Sequence, residues 1–145
     1  LVGLISKNRL DDYTPWATSA LRDGVPDFGG QANDYHDHLF GGLLDKLQSL
    51  YRLDETRLAY GGYSLGGLAA VYSLFSFDKV SCVFSICGSF WYPDFVTYIM
   101  VKQKEHTILI AWLKHQSMLS RFIPVFRNAI RTASLSLTLM GTMNK

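Results

Sequence analysis

AYGGYSLGGLAA, residues 59–70, is the stretch on which the fold turns. Its centre, Gly62-Tyr63-Ser64-Leu65-Gly66, fits G-x-S-x-G, a pattern that is weak alone and gains meaning from its flanks. RLAY (57–60) before it reads as a strand, and LGGLAAVYSLF (65–75) after it reads as a helix of small and apolar residues. A serine between such a strand and helix sits on a tight, strained turn that exposes its hydroxyl at the C-terminal edge of a sheet. Bulky neighbours would collide there, so glycines are expected on both sides. The helix that follows brings the Leu65 N–H and its N-terminal dipole to bear on a developing oxyanion. A Gly-rich turn closing a βα unit, with an incidental serine, is the plainer structural alternative.

Working outward, VSCVFSICGSF (80–90) is rich in β-branched and aromatic residues and predicts a further strand. LVGLIS (1–6) is a short apolar run that suits a buried strand, and the charged KNRLDDYTPW (7–16) predicts a loop at its end. DGVPDFGG (23–30) is a cluster of chain breakers. A helix is expected from Asn33, with Asn33 or Asp34 as N-cap and Leu39, Leu43, Leu47 and Leu50 as its apolar stripe. Gly41 and Gly42 weaken its continuity. Alternating strands and helices predict an α/β fold, a mostly parallel sheet with flanking helices.

The composition allows a real core and excludes a disordered chain, with 48% hydrophobic and 18% charged residues among 145. Charge is unevenly spread. Residues 1–100 carry eleven acids and seven bases, whereas 101–145 carry one acid and seven bases. The tail also holds one glycine, against eleven in the first hundred residues. Residues 1–100 therefore read as the body of the domain and 101–145 as an atypical basic tail, with a helix conceivable over 112–131. Its bases are scattered, so neither nucleic acid nor membrane is expected as a partner. Cys82 and Cys87 lie in an apolar run and read as buried thiols of an intracellular, cytoplasmic protein. No cofactor and no metal is called for. His36 and His38 are two apart and read as surface residues of a helix, not as a ligand pair.

Three stretches, RLDDYTPW (9–16), YGGYSLGGLAAVYSLF (60–75) and VFSICGSFWYPDF (83–95), occur in an order that resembles one esterase family of the α/β-hydrolases. It groups esterase D, enterochelin-type siderophore esterases and feruloyl esterases. The resemblance covers residues 1 to about 99 and implies a Ser-Asp/Glu-His triad acting on small-molecule carboxylic esters. It implies Ser64 as nucleophile and Leu65 N–H as one oxyanion donor. Asp11, Tyr13 and Trp16 would lie near the site, and Trp91 would wall an acyl pocket. The last three are offered as substrate-binding residues, although each aromatic equally suits core packing.

The sequence departs from that family after Ser64. Its last acid, Glu105, follows no recognisable strand, and neither His106 nor His115 lies in a Gly-rich loop. The strand expected to supply the second oxyanion N–H falls upstream of Leu1. Back-translating LMGTMNK (139–145) and reading from the third base of Leu139 permits Asp-Gly-Asn-His-Glu, a Gly-x-His loop of the family's kind. The sequence therefore reads as a partial α/β-hydrolase whose frame changes near residue 100. It keeps its nucleophile and is expected to be inactive as it stands. An acyltransferase of the same fold, or a non-catalytic relic or binding module, fits the same residues.

Overall fold

The computed structural model describes residues 2–54, 58–80, 82–102, 107–111 and 137–140. They fall into two compact units, Leu1–Leu53 and Asp54–Lys145.

In the first unit a single helical turn, α1 (Arg9–Asp12), precedes a two-residue antiparallel ladder of β1 (Ala17–Thr18) and β2 (Phe28–Gly29). Thr14, fully buried, stitches this region together. Its hydroxyl donates to the Leu10 carbonyl at 2.7 Å and accepts from Gly30 N–H at 3.0 Å, while its carbonyl accepts from Ala32 N–H at 3.1 Å. Two expectations fail here. Residues 7–16 contain a helical turn where a loop was predicted. Residues 2–6 form no strand, and Ile5 is 96% exposed. An apolar run becomes a strand only where a ladder satisfies its backbone, and the unit's short ladder is built elsewhere.

One helical run then extends from α2 (Ala32–Asp37) through a π-wound turn (His38–Leu43) into α3 (Leu44–Leu50). It begins after Gln31, so neither Asn33 nor Asp34 is the cap. Gly41 and Gly42 lie in the π turn, so the helix widens where a break was feared. The buried stripe is Ala32, His36, Phe40 and Leu44, spaced by four. The predicted leucines sit beside it, half-buried at 39, 43 and 47 and exposed at 50. Both stripes run at helical spacing, and only packing chooses between them.

The second unit is a parallel sheet in the order β3 (Ala59–Tyr63), β4 (Cys82–Ile86), β5 (Thr107–Ala111), β6 (Leu137–Met140). Helix α4 (Leu65–Ser76) connects β3 to β4, and α5 (Phe95–Lys102) connects β4 to β5. This is the mixed α/β architecture with parallel β-α-β units that the sequence predicted. Helix α4 is buried from Gly67 to Phe75 without a break, as suits a helix that is apolar all round. Helix α5 packs on it through Tyr72 and Tyr98, whose rings lie 5.4 Å apart, and a 2.8 Å bond between the Ser76 and Tyr98 hydroxyls.

Strand β5 was not foreseen, although Thr-Ile-Leu-Ile is a β-branched run. The helix considered over 112–131, together with Glu105, His106 and His115, lies outside the described residues. Register aligns Tyr63, Ile86, Ala111 and Met140 across the sheet, so the four strands end on one edge.

Candidate active site

Ser64 sits at that edge, between the last residue of β3 and the first of α4. Its backbone has φ 56° and ψ −119°, a region that L-residues avoid and glycine tolerates. The strained turn expected from the motif is present. Backbone hydrogen bonds hold it there. Ser64 N–H donates to the Ile86 carbonyl at 3.0 Å, and the Ser64 carbonyl accepts from Gly67, Leu68 and Ser89 N–H groups at 3.0, 3.1 and 3.1 Å. A side chain at φ 56° costs about 1–3 kcal/mol, offset by roughly 0.5–1 kcal/mol of extra unfolded-state entropy in glycine. Ser64→Gly is therefore expected to stabilise the chain by about 1 kcal/mol, whereas Ser64→Ala, which keeps Cβ, gains nothing. Urea unfolding midpoints of the two variants check this.

The flanking glycines do different jobs, which corrects the symmetrical expectation. A Cβ on Gly62 would lie 2.5 Å from the Gly66 carbonyl carbon, so Gly62 is sterically required. A Cβ on Gly66 would meet nothing within 4 Å among the described residues. The tight neighbour on that side is Gly67, whose Cβ would fall 2.4 Å from Ser85 Oγ and 3.1 Å from Gly62 O. Close contact of α4 with the face of β3 and β4 thus depends on Gly62 and Gly67.

Leu65 is buried and begins α4, so its N–H has no carbonyl one turn earlier in the helix. It follows the half-buried Ser64 directly in the chain, at the positive end of the helix dipole. The Ser64 hydroxyl lies 3.2 Å from that of Ser89, a residue that the motif did not single out. Ser89 belongs to the segment after β4, which turns sharply at Cys87 (φ 48°) and again at Asp94 (φ 60°). Trp91 lies two residues beyond Ser89, half-buried, with its ring 6.1 Å from that of Tyr92.

Asp11, Tyr13 and Trp16 belong to the first unit. Asp11 accepts from the Asn8 side chain, and Tyr13 packs edge-on against Tyr35 at 5.3 Å. Trp16 is half-buried, and its backbone closes on Gly30, where a Cβ would approach within 2.2 Å. His38 is exposed, as expected, with Nδ1 2.6 Å from the Asp34 carbonyl oxygen. His36 is not on the surface. It is fully buried, stacked on Phe40 at 5.5 Å, and burial lowers its pKa from 6.5 to about 4. The signal missed was its place four residues from both Ala32 and Phe40. Cys82 and Cys87 are thiols not joined in a disulfide, and they are half-buried, not fully enclosed as expected. Among the described residues no three acidic, histidine or cysteine side chains gather as metal ligands, and no helix is long and apolar enough to cross a membrane.

No family model matches the chain. An uncharacterized protein, YbbA, of Bacillus subtilis (strain 168) is 32% identical over 97 residues, covering 65% of this chain and 39% of that protein. An IroE-like serine hydrolase from Shewanella oneidensis superposes with a TM-score of 0.79 at 20% identity, over 97% of this chain and 52% of that one. The enterobactin hydrolase IroE, in complex with DFP, gives a TM-score of 0.75 at 19% identity, over 92% and 57% of the two chains. The chain thus spans about two-fifths of the curated relative and little more than half of these structural neighbours. With its parallel sheet, strained serine turn and neighbours of this kind, the chain is part of an α/β-hydrolase fold of the sort found in IroE-like serine hydrolases.

Proposed function

We propose that the chain carries the nucleophile-bearing part of a carboxylic ester hydrolase in which Ser64 forms an acyl-enzyme. The observation that carries this reading is the backbone of Ser64. A non-glycine residue at φ 56° is costly, and the strain puts a hydroxyl at the C-terminal edge of a parallel sheet and the N-terminus of a buried helix. In the reaction Ser64 Oγ attacks the ester carbonyl carbon, Leu65 N–H faces the developing oxyanion, and the alcohol leaves. The substrate is a small-molecule ester. Enterobactin, which the name of one structural neighbour gives as that protein's substrate, is one candidate. Trp91 follows Ser89 closely and is our candidate for an acyl-pocket wall.

Ser64's side-chain partner among the described residues is Ser89, which is not a base. A serine without its base loses on the order of 10⁶ in rate, judged by triad knockouts in a serine protease. Acylation by an activated ester is therefore expected, and rapid turnover is not. The test is to incubate the full chain with p-nitrophenyl acetate and map acetyl groups by peptide mass spectrometry. One acetyl group on Ser64, absent from Ser64→Ala, supports the reading. Acetylation confined to lysines, identical in both chains, refutes it.

A further inference from the structure

We propose that Ser89 is the positioning residue of Ser64, a role that rests on Ser64 being the nucleophile. The two residues are 25 apart in sequence and touch twice. Ser89 N–H donates to the Ser64 carbonyl at 3.1 Å, and the two hydroxyl oxygens lie 3.2 Å apart. The first contact holds the strained backbone, and the second selects one side-chain rotamer of Ser64 out of three.

The segment that presents Ser89 is rigidly built. Ser89 is only 2% exposed. Phe90 N–H donates to the Gly88 carbonyl at 2.8 Å, and Tyr92 N–H donates to the Ser89 carbonyl at 3.1 Å. The Phe90 ring stacks on Phe95 at 5.9 Å, which anchors the turn to the start of α5. A Cβ on Gly88 would fall 2.4 Å from Ser85 Oγ and 2.6 Å from the Phe90 ring, so the segment fits against β4 without slack.

The chemistry of a hydroxyl suits the task. It donates and accepts, so Ser89 can hold the Ser64 oxygen whichever way the Ser64 proton points. It carries no charge, so it neither repels a developing oxyanion nor competes as a base. Ser89 does not take the proton. In acylation the new bond joins Ser64 Oγ to the acyl carbon, the bond from that carbon to the leaving oxygen breaks, and the serine proton passes to solvent. Ser89 acts earlier, by keeping Oγ where that attack begins.

Replacing Ser89 by alanine isolates the hydroxyl contact, because the backbone N–H remains. The experiment follows p-nitrophenolate release from the full chain over a range of ester concentrations, with the rate of the Ser64→Ala chain subtracted. Ser89→Ala is expected to lower the limiting acylation rate roughly fivefold, the worth of one neutral hydrogen bond, and to leave the half-saturating concentration unchanged. Ser89→Thr, which keeps the hydroxyl, recovers the rate, and all three chains unfold at similar urea concentrations. Should the alanine chain fail to fold, Ser89→Cys keeps the volume and weakens the donor, and the same fall in limiting rate is expected. A limiting rate that stays at the wild-type value in a folded Ser89 variant overturns the positioning role while Ser64 remains the nucleophile. Absence of any Ser64-dependent release in the wild-type chain overturns the reading of Ser64, and the role of Ser89 with it.

Discussion

Gly62→Ala is expected to destabilise the second unit by roughly 3 kcal/mol, while Gly66→Ala stabilises it by about 0.5–1 kcal/mol. Both glycines belong to the same G-x-S-x-G motif, and motif reasoning alone treats them alike. Geometry separates them. The methyl group on Gly62 would meet backbone atoms of Gly66 at 2.5 and 2.6 Å, closer than any Cβ contact can be. Backbone cannot swing aside as a flexible side chain can, so the start of α4 must lift from β3. That movement breaks the bonds that hold Ser64 and opens the buried face from Gly67 to Phe75. A methyl group on Gly66 meets nothing within 4 Å among the described residues, and alanine loses less backbone entropy in a helix than glycine does. Urea unfolding of the two single variants should move the midpoint in opposite directions. A Gly62→Ala chain as stable as wild type would mean that α4 does not pack as described.

The second large effect is on pH dependence. His36 is buried against Phe40, and its pKa is lowered from 6.5 to about 4 by desolvation. The fold therefore holds the neutral imidazole, whereas the unfolded chain binds a proton at higher pH. The stabilising contribution is complete above about pH 6.5 and is lost as pH falls towards about 4. By pH 4.5 the loss amounts to roughly 2–3 kcal/mol, a large share of the stability of an ordinary domain. Unfolding free energies at pH 7.5 and pH 4.5 should differ by about that much more in the wild-type chain than in His36→Phe. Equal differences in the two chains would place the protonation penalty elsewhere.

What could be read from the sequence divides along physical lines. The elbow was legible because Gly62, Ser64 and the small-residue helix are local requirements of one turn, and α4 ends one residue beyond the predicted helix end, while β3 runs three residues past RLAY. Strand β4 was legible from its β-branched residues, but it stops at Ile86 because Cys87 turns to a positive φ, which nothing in the residue type announces. The buried stripe of the helical run from Ala32 was misplaced by one residue. Leucines outrank histidine and alanine on any hydropathy scale, and only the partners of Ala32, His36 and Phe40 reveal the true face. Residues 2–6 were too apolar to be read as anything but a strand, yet strands are made by neighbours as much as by composition. The tail, with its single acid, reads as one atypical piece, yet within it Thr107–Ala111 is paired in register with β4 over its whole length. Ser89 was invisible in the motif because it comes from another strand end, and only the parallel register of Tyr63 with Ile86 brings it to Ser64.

The central claim is that the folded elbow, and not serine chemistry in general, makes Ser64 a nucleophile. The direct measurement is site-resolved acetylation by p-nitrophenyl acetate, carried out in parallel on the folded chain and on the same chain unfolded in urea. The account predicts that Ser64 is acetylated in the folded chain well ahead of every other serine and loses that lead on unfolding. Ser64 reacting no faster than the remaining serines in the folded chain would contradict it.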